Sequence, residues 1–307
     1  MLVCALILDA VFGEPAALWR RVPHPVVVFG GMIRWLEIKM NRGSARRLKG
    51  TLALLLLVAA AAVAGALLAH PALAGVGEVA VAAILLAHRS LSDHVQAVAR
   101  ALKVSLQEGR AAVSQIVGRD TTALDESGVA RAAIESAAEN FSDGVVAPAF
   151  WFLVAGLPGI VIYKMVNTAD SMIGYRTDRF LAFGWASARL DDLMNWIPAR
   201  LSGALICLVG GGPAVWRIMW QDARLHRSPN AGWPEAAIAP CLGIALSGPR
   251  VYDGRLVDDP FVHKHGRIDL TPADIDRACT ILWNAWVVLV ILAGVALVAG
   301  AGAGAGP

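Results

Sequence analysis

The sequence predicts an all-α, polytopic integral membrane protein, and two observations carry that prediction. Of its 307 residues, 57% are hydrophobic and only 17% are charged, against roughly a quarter charged in an ordinary soluble domain. The apolar residues are also gathered into runs. Residues 51 to 69, TLALLLLVAAAAVAGALLA, carry no charge and at about 1.5 Å per residue can cross a hydrocarbon core of roughly 30 Å. With the less regular runs counted, about four to six membrane helices are expected, broken or re-entrant ones included, with cytoplasmic helical segments between them.

Taken in order, the opening MLVCALILDAVFGEP lacks a basic start and meets Asp9 early, so it reads as a short membrane-associated helix that is retained, not a cleaved signal. Residues 34 to 50 hold Arg34, Lys39, Arg42, Arg46, Arg47 and Lys49 against Glu37 alone, which the positive-inside rule places in the cytoplasm. The span at 51 to 69 is followed by a turn at His70 and Pro71 and by a second apolar run, 72 to 88, whose only charge is Glu78; the two read as a helical hairpin. The polar stretch 89 to 144 then lies in the cytoplasm again.

Runs 145 to 163 and 201 to 216 are interrupted, the first by Pro148, Gly156, Pro158 and Gly159, the second by GGGP. Simple spans would put 164 to 196 on the outer face, whereas broken or re-entrant helices leave it cytoplasmic. The second reading is favoured because it gathers the polar motifs on one side, and irregular backbone at membrane depth is tolerated inside protein. The final run, LTPADIDRACTILWNAWVVLVILAGVALVAG, reads as one long helix with Thr271 as cap, Pro272 in the first turn and Asp274 facing the unpaired amides. The Gly/Ala tail 301 to 307 is expected to be disordered. The domain expectation is one membrane-embedded catalytic domain, 1 to 300, with cytoplasmic segments near 89–144, 164–200 and 217–280.

Composition also excludes function classes. A net charge of +3 with interleaved signs does not suit nucleic acid. Cys4, Cys207, Cys241 and Cys279 are scattered singly and read as small buried hydrophobes. His24 between two prolines reads as structural, and His263 with His265 lacks a third zinc ligand at a recognisable spacing. No phosphate-binding P-loop, dinucleotide fingerprint or nucleophile elbow is present, so ATP use has to run through a non-standard site.

Chemistry is carried by four polar motifs. In ESAAENFSDG, residues 135 to 144, the carboxylates Glu135, Glu139 and Asp143 drift only about 80° around an unbroken helix and would share a face. Glu135 reads as a solvated residue paired with Arg131. Glu139 and Asp143 flank Asn140 near membrane depth, where a carboxylate needs a partner, water or a cation. In YKMVNTADSMIGYRTDRF, Lys164, Asn167, Asp170 and Ser171 fall on one helix face suited to Mg²⁺ and phosphate; Arg176 and Arg179 can add phosphate contacts, with Tyr175 beside them. ARLDDLMNWIPAR adds Arg189, Asp191, Asp192 and Asn195, and SPNAGWPEAA forms a fixed turn with Ser228 and Asn230 leading to Trp233 and Glu235. Such a site suits Mg²⁺-dependent chemistry on a phosphorylated substrate.

These segments, together with LDAVFGEP, HPVVVFGGMIRWLE, IVGRD at 116 to 120 and SPNAGWPEAAIAPCLGIALSGP, resemble the adenosylcobinamide-phosphate synthase family (cobinamide synthase, CbiB/CobD) of cobalamin biosynthesis. The resemblance runs from Asp9 to about Asp276. It implies a multi-pass enzyme of the cytoplasmic (inner) membrane, its active face cytoplasmic, that joins a propionate carboxylate of adenosylcobyric acid to (R)-1-aminopropan-2-ol O-phosphate, giving adenosylcobinamide phosphate. ATP and Mg²⁺ are implied as cosubstrate and metal, because a carboxylate and an amine do not condense unaided in water.

Under this reading Glu139, Asp143, Asp170, Asp191 and Asp192 supply Mg²⁺ ligands or a base. Lys164, Arg176 and Arg189 hold phosphate or carboxylate, and Asn140, Asn167 and Asn195 orient substrates. Arg119, Ser171, Tyr175, Ser228, Asn230, Trp233 and Glu235 complete the substrate site. Membrane lipid and other cobalamin-pathway enzymes are the implied partners, and a homo-oligomer is compatible with it. Two rivals are weaker. An intramembrane Mg²⁺-dependent prenyltransferase needs D-x-x-x-D, whereas Asp170 and Asp178 are eight apart; a corrinoid transporter or pathway scaffold needs intramembrane charge on several long spans.

Overall fold

The computed structural model describes residues 1–71, 75–118, 120–252, 255–257 and 259–303. In chain order the helices are α1 (Leu2–Phe12), α2 (Ala16–Trp19), α3 (Pro25–Met40), α4 (Arg46–Leu68), α5 (Val76–Leu85), α6 (His88–Val104) and α7 (Leu106–Val113). They continue as α8 (Glu126–Phe141), α9 (Ala147–Ile173), α10 (Trp185–Met194), α11 (Trp196–Gly210), α12 (Pro213–Asp222), α13 (Gly232–Leu242) and α14 (Pro272–Ala303). Strands among the described residues are short: β1 (Leu246–Ser247) pairs antiparallel with β4 (Phe261–Val262), and β2 (Arg250–Tyr252) with β3 (Arg255–Val257). The all-α membrane class therefore holds.

The chain divides into two compact units, Met1–Ala87 with Asp143–Trp196, and His88–Ser142 with Ile197–Pro307. Among the described residues three helices are long and apolar enough to cross a membrane: α4, the run Glu126–Ile173, and Pro272–Ala299; α10 with α11 makes a fourth if that bent pair is one span. Three fall below the expected four to six and four reach only its low end, for a physical reason. Helix α1 has 11 residues and α5 has 10, so each rises only about 15 Å, half a bilayer core. The hairpin expected from 51 to 88 is corrected accordingly: α5 packs on α1 and α9, while α4 packs on α3, α9 and α10. Residues 72–74 of that run lie outside the described residues, as do 304–307 of the tail, where α14 continues through Ala303.

In the first unit α4 lies along α9. Gly65 permits this approach, since a Cβ there would stand 2.5 Å from Pro158 Cα. The expected break in 145 to 163 is present: Ala155 and Gly156 leave helical geometry, Gly156 at φ 62° and ψ −149°, a region essentially reserved for glycine. Pro158, two residues on, cannot donate to the ladder, and its ring opposes the carbonyl four residues before it. Leu54, Ala147, Tyr163, Val166, Ala186 and Met194 form a buried cluster behind the break. His24 is structural, as expected: its Nδ1 accepts from Val26 N at 3.2 Å and caps α3.

In the second unit α6 packs on α7, α8 and α14. Asp125 caps α8 by accepting from Gly128 N at 2.7 Å. The expected start of α14 is met at Asp274, whose Oδ2 accepts from Thr271 N and Oγ1 at 2.8 and 2.9 Å, the return half of a capping box; the expectation of Thr271 as cap is corrected, because its hydroxyl gives its proton to that carboxylate instead of accepting from a helix amide. His88 at the start of α6 is 1% exposed among aromatic rings, with centroids 4.3 Å from Trp283 and 5.4 Å from Trp286.

Candidate functional site

Helix α8 ends at Phe141, and Ser142–Val146 forms a π-helical turn. That turn corrects the expectation of one acidic face over Glu135, Glu139 and Asp143, because the 3.6-residue period stops before Asp143. Glu135 is also not solvated: it is 5% exposed and accepts from Ser247 N at 2.7 Å. Glu139 and Asn140 are the exposed pair, with Asn140 Nδ2 donating back to Ser136 O at 2.9 Å.

The first unit joins Asp143 of the π turn to side chains of α9 and α10. Asn167 Nδ2 donates to Asp143 Oδ2 at 3.4 Å and to Asp191 Oδ1 at 3.2 Å. The other oxygen of Asp191 accepts from Asn195 Nδ2 at 3.0 Å. Tyr163 Oη lies 2.9 Å from Asn195 Oδ1 and 3.0 Å from the carbonyl of Asp143, two acceptors that share one hydroxyl proton. Helical spacing explains the set: 163 with 167 and 191 with 195 are i, i+4 pairs, each on one face. Asp191 is 8% exposed, and a carboxylate so placed is costly unless each oxygen is hydrogen-bonded, as both are here.

Around this network the expected residues separate. Lys164 is half-buried on α9 and interacts electrostatically with Asp143, Glu14 and Asp9. Adjacent on the helix, Asp191 and Asp192 point about 100° apart; Asp192 meets Arg189 at 3.7 Å, with Arg176 also attracting it. Ser171 is exposed and donates to Asn167 O at 2.9 Å. Asp170 is half-buried, its carbonyl closing α9 by accepting from Gly174 N at 2.7 Å. Tyr175 and Arg176 are exposed in the segment that follows. Arg119 lies outside the described residues.

Among the described residues no three His, Cys, Asp or Glu side chains group to hold a metal ion. The five carboxylates Glu139, Asp143, Asp170, Asp191 and Asp192 are thus not one cluster; Asp143 and Asp191, bridged by Asn167, are the pair drawn together. Mg²⁺ commonly takes one or two protein carboxylates and completes its shell with waters and substrate phosphates, so this pair of hard oxygen donors fits it.

The second unit holds its own polar network. Glu135 and Glu235, 5% and 2% exposed, converge on Ser247: Ser247 N donates to Glu135, and Ser247 Oγ lies 3.4 Å from Glu235 Oε2. His226 Nε2 stands 3.4 Å from Glu235 Oε1. Ser247 and Gly248 have φ of 58° and 84°, so the backbone turns tightly there and presents its amide to the carboxylate. Ser228 Oγ accepts from Asn230 N and Ala231 N at 3.2 and 3.1 Å, making the expected fixed turn. Asn230 accepts from Arg200 at 3.5 Å, and the Arg200 guanidinium lies 4.6 Å from the Trp233 ring centroid, within cation–π range.

Sequence reasoning missed Tyr163, Ser247 and His226. Tyr163 was findable, one helical turn before Asn167; the other two meet Glu235 only through a loop whose path no local period encodes.

The family described as CobD/Cbib protein matches residues 2–282. The chain is 49% identical over 310 residues to the "Cobalamin biosynthesis protein CobD" of Sinorhizobium sp., covering 94% of this chain and 95% of that protein. Proteins of the same name from Brucella suis biovar 1 and Rhodobacter capsulatus are 50% and 47% identical, with 92% and 97% of each chain covered. No solved structure matches significantly. With the family match running from residue 2 into the first third of α14 and near-half identity along whole relatives, this chain belongs to the CobD/CbiB family.

Proposed function

We propose that the chain works in cobalamin biosynthesis as a membrane enzyme that forms an amide bond between a propionate carboxylate of adenosylcobyric acid and aminopropanol phosphate, using ATP and Mg²⁺. The observation that carries the reading is the carboxylate pair Asp143 and Asp191 held by Asn167 and Asn195, in a chain related over most of its length to proteins named for cobalamin biosynthesis.

The substrate carboxylate attacks the terminal phosphorus of ATP, ADP leaves, and an acyl phosphate forms. The amine then attacks the acyl carbon and inorganic phosphate departs. Asp143 and Asp191 would hold Mg²⁺, which when bound offsets phosphate charge. Asn167 and Asn195 keep the Asp191 carboxylate oriented, so no reorganisation is needed as charge moves. Lys164, beside Asp143, attracts a phosphate or carboxylate, and the exposed Arg176 and Arg189 extend that positive field. In the second unit Glu135 and Glu235 fix the turn at Ser247.

The test uses detergent-purified protein with adenosylcobyric acid, aminopropanol phosphate, ATP and Mg²⁺, following the corrinoid by mass and the nucleotide by chromatography. A corrinoid that gains aminopropanol phosphate with stoichiometric ADP supports the ligase and the acyl-phosphate route. AMP in place of ADP replaces that route with an adenylate, and a corrinoid that binds unchanged with pathway partners supplied overturns the enzyme reading.

A further inference from the structure

The first unit also contains a polar cavity of about 430 Å³, lined by Glu37, Asn41, Arg42, Arg46 and Arg179 among others. Its charges do not cancel. Glu37 is engaged by Arg179, Nη2 to Oε2 at 2.9 Å and Nε to Oε1 at 3.1 Å. Arg46 is fixed by Asn41 Oδ1 at 2.8 Å and by the carbonyls of Asp178 and Arg179. Arg42 is different: its carbonyl accepts from Lys49 Nζ at 2.7 Å, but among the described residues its guanidinium makes no hydrogen bond or ion pair. Three guanidinium groups thus line the cavity against one carboxylate that is already matched.

The same place opens the N-terminus of α4, where Ala45, at φ 58°, gives no side-chain acceptor to the first amides. Its positive end adds to the field of the guanidiniums. Here α4 begins the membrane span. Arg47 lies 3.6 Å from the ring centroid of the exposed Trp185, the pairing of cation and aromatic typical of headgroup depth.

We propose that this cavity binds a phosphate group, with Arg46 and Arg179 as its fixed walls and Arg42 closing on the ligand. Guanidinium forks match phosphate oxygens and desolvate more readily than an ammonium. At this depth the phosphate can come from a lipid headgroup or from a soluble phosphate ester. The site does not rest on the proposed reaction.

The test measures saturable binding to the purified full chain in a neutral detergent, by native mass spectrometry and by the thermal unfolding midpoint. One arm uses dioctanoyl phosphatidylglycerol against dioctanoylglycerol, the same tails without phosphate; the other uses ATP and inorganic pyrophosphate. Arg42→Gln is the chief variant, because its guanidinium holds no part of the fold. A loss of about tenfold in affinity is expected, the size of one charged hydrogen bond, with Arg21→Gln unchanged as the exposed control. Phosphatidylglycerol binding that dioctanoylglycerol does not reproduce and that Arg42→Gln weakens assigns the site to lipid; ATP or pyrophosphate binding that Arg42→Gln weakens and phosphatidylglycerol does not displace assigns it to a soluble phosphate. No saturable binding of any phosphate probe, or binding that Arg42→Gln leaves untouched, overturns the proposal.

Discussion

Asp191 and Glu135 are both buried carboxylates, 8% and 5% exposed, yet each unit satisfies its own by a different chemistry. Asp191 is held by two side-chain amides, Asn167 and Asn195, and Asn167 passes on to a second carboxylate, Asp143. Glu135 is held by a main-chain amide, Ser247 N, and its companion Glu235 meets a hydroxyl and an imidazole. Side-chain amides leave carboxylate lone pairs available and can turn towards a ligand; a main-chain amide is committed to the fold. The difference teaches that burial alone does not mark a reacting carboxylate. The first arrangement suits substrate chemistry and the second the holding of a turn.

The largest test of this contrast compares Asp191→Asn with Glu235→Gln. The first is expected to lower the rate of corrinoid product formation by about 10²–10³-fold, the scale for loss of one preorganised electrostatic group, and the second by less than tenfold. Equal losses would end the distinction. Next in size, Glu135→Ala leaves the Ser247 amide, in a residue 4% exposed, without its acceptor, and should cost about 1–3 kcal/mol. Thermal unfolding in detergent would read it; a rate loss with an unchanged midpoint would instead make Glu135 part of the chemistry.

Protonation sharpens the account of the second unit. Burial lowers the His88 imidazole from its ordinary 6.5 to about 3, so the folded chain resists taking the proton that the unfolded chain accepts. Its contribution is fully present above pH 6.5 and is lost progressively as pH falls towards 3. At pH 5 the loss is about 2 kcal/mol, from roughly 1.4 kcal/mol per pH unit. Unfolding midpoints at pH 7.5 and 5 should show it, and His88→Phe should flatten the dependence. The smallest expected effect is Thr271→Ala, which removes the hydroxyl that donates to Asp274 Oδ2 at the start of α14 but keeps the Thr271 amide on the same oxygen, and should cost about 1 kcal/mol; a midpoint shift as large as that of Glu135→Ala would mean that this hydroxyl outweighs the buried carboxylate.

Much of the first unit's site was legible because its members sit on continuous helices. The i, i+4 spacing of Tyr163 with Asn167, and of Asp191 with Asn195, already places each pair on one face. The acidic stretch at 135 to 143 misled for the complementary reason: the π turn at Ser142–Val146 interrupts the period on which that reading relied. The second apolar run misled in another way. Its composition was right for a membrane, but only Val76–Leu85 is α5, and hydropathy does not report where a helix stops.

Membrane class, the long helices α4 and α14, the place of Asp274 at the start of α14 and the break near Gly156 were all readable from residue order. Each depends on local quantities: hydropathy over a window, one turn of backbone hydrogen bonds, or the forbidden geometry of proline. The split of Asp191 from Asp192, the burial of Glu135, the meeting of Glu235 with Ser247 and the free guanidinium of Arg42 were decided by tertiary packing. They depend on which neighbour a side chain finds across space, and that partner is chosen by the joint cost of burying charge and filling volume, which no single segment encodes.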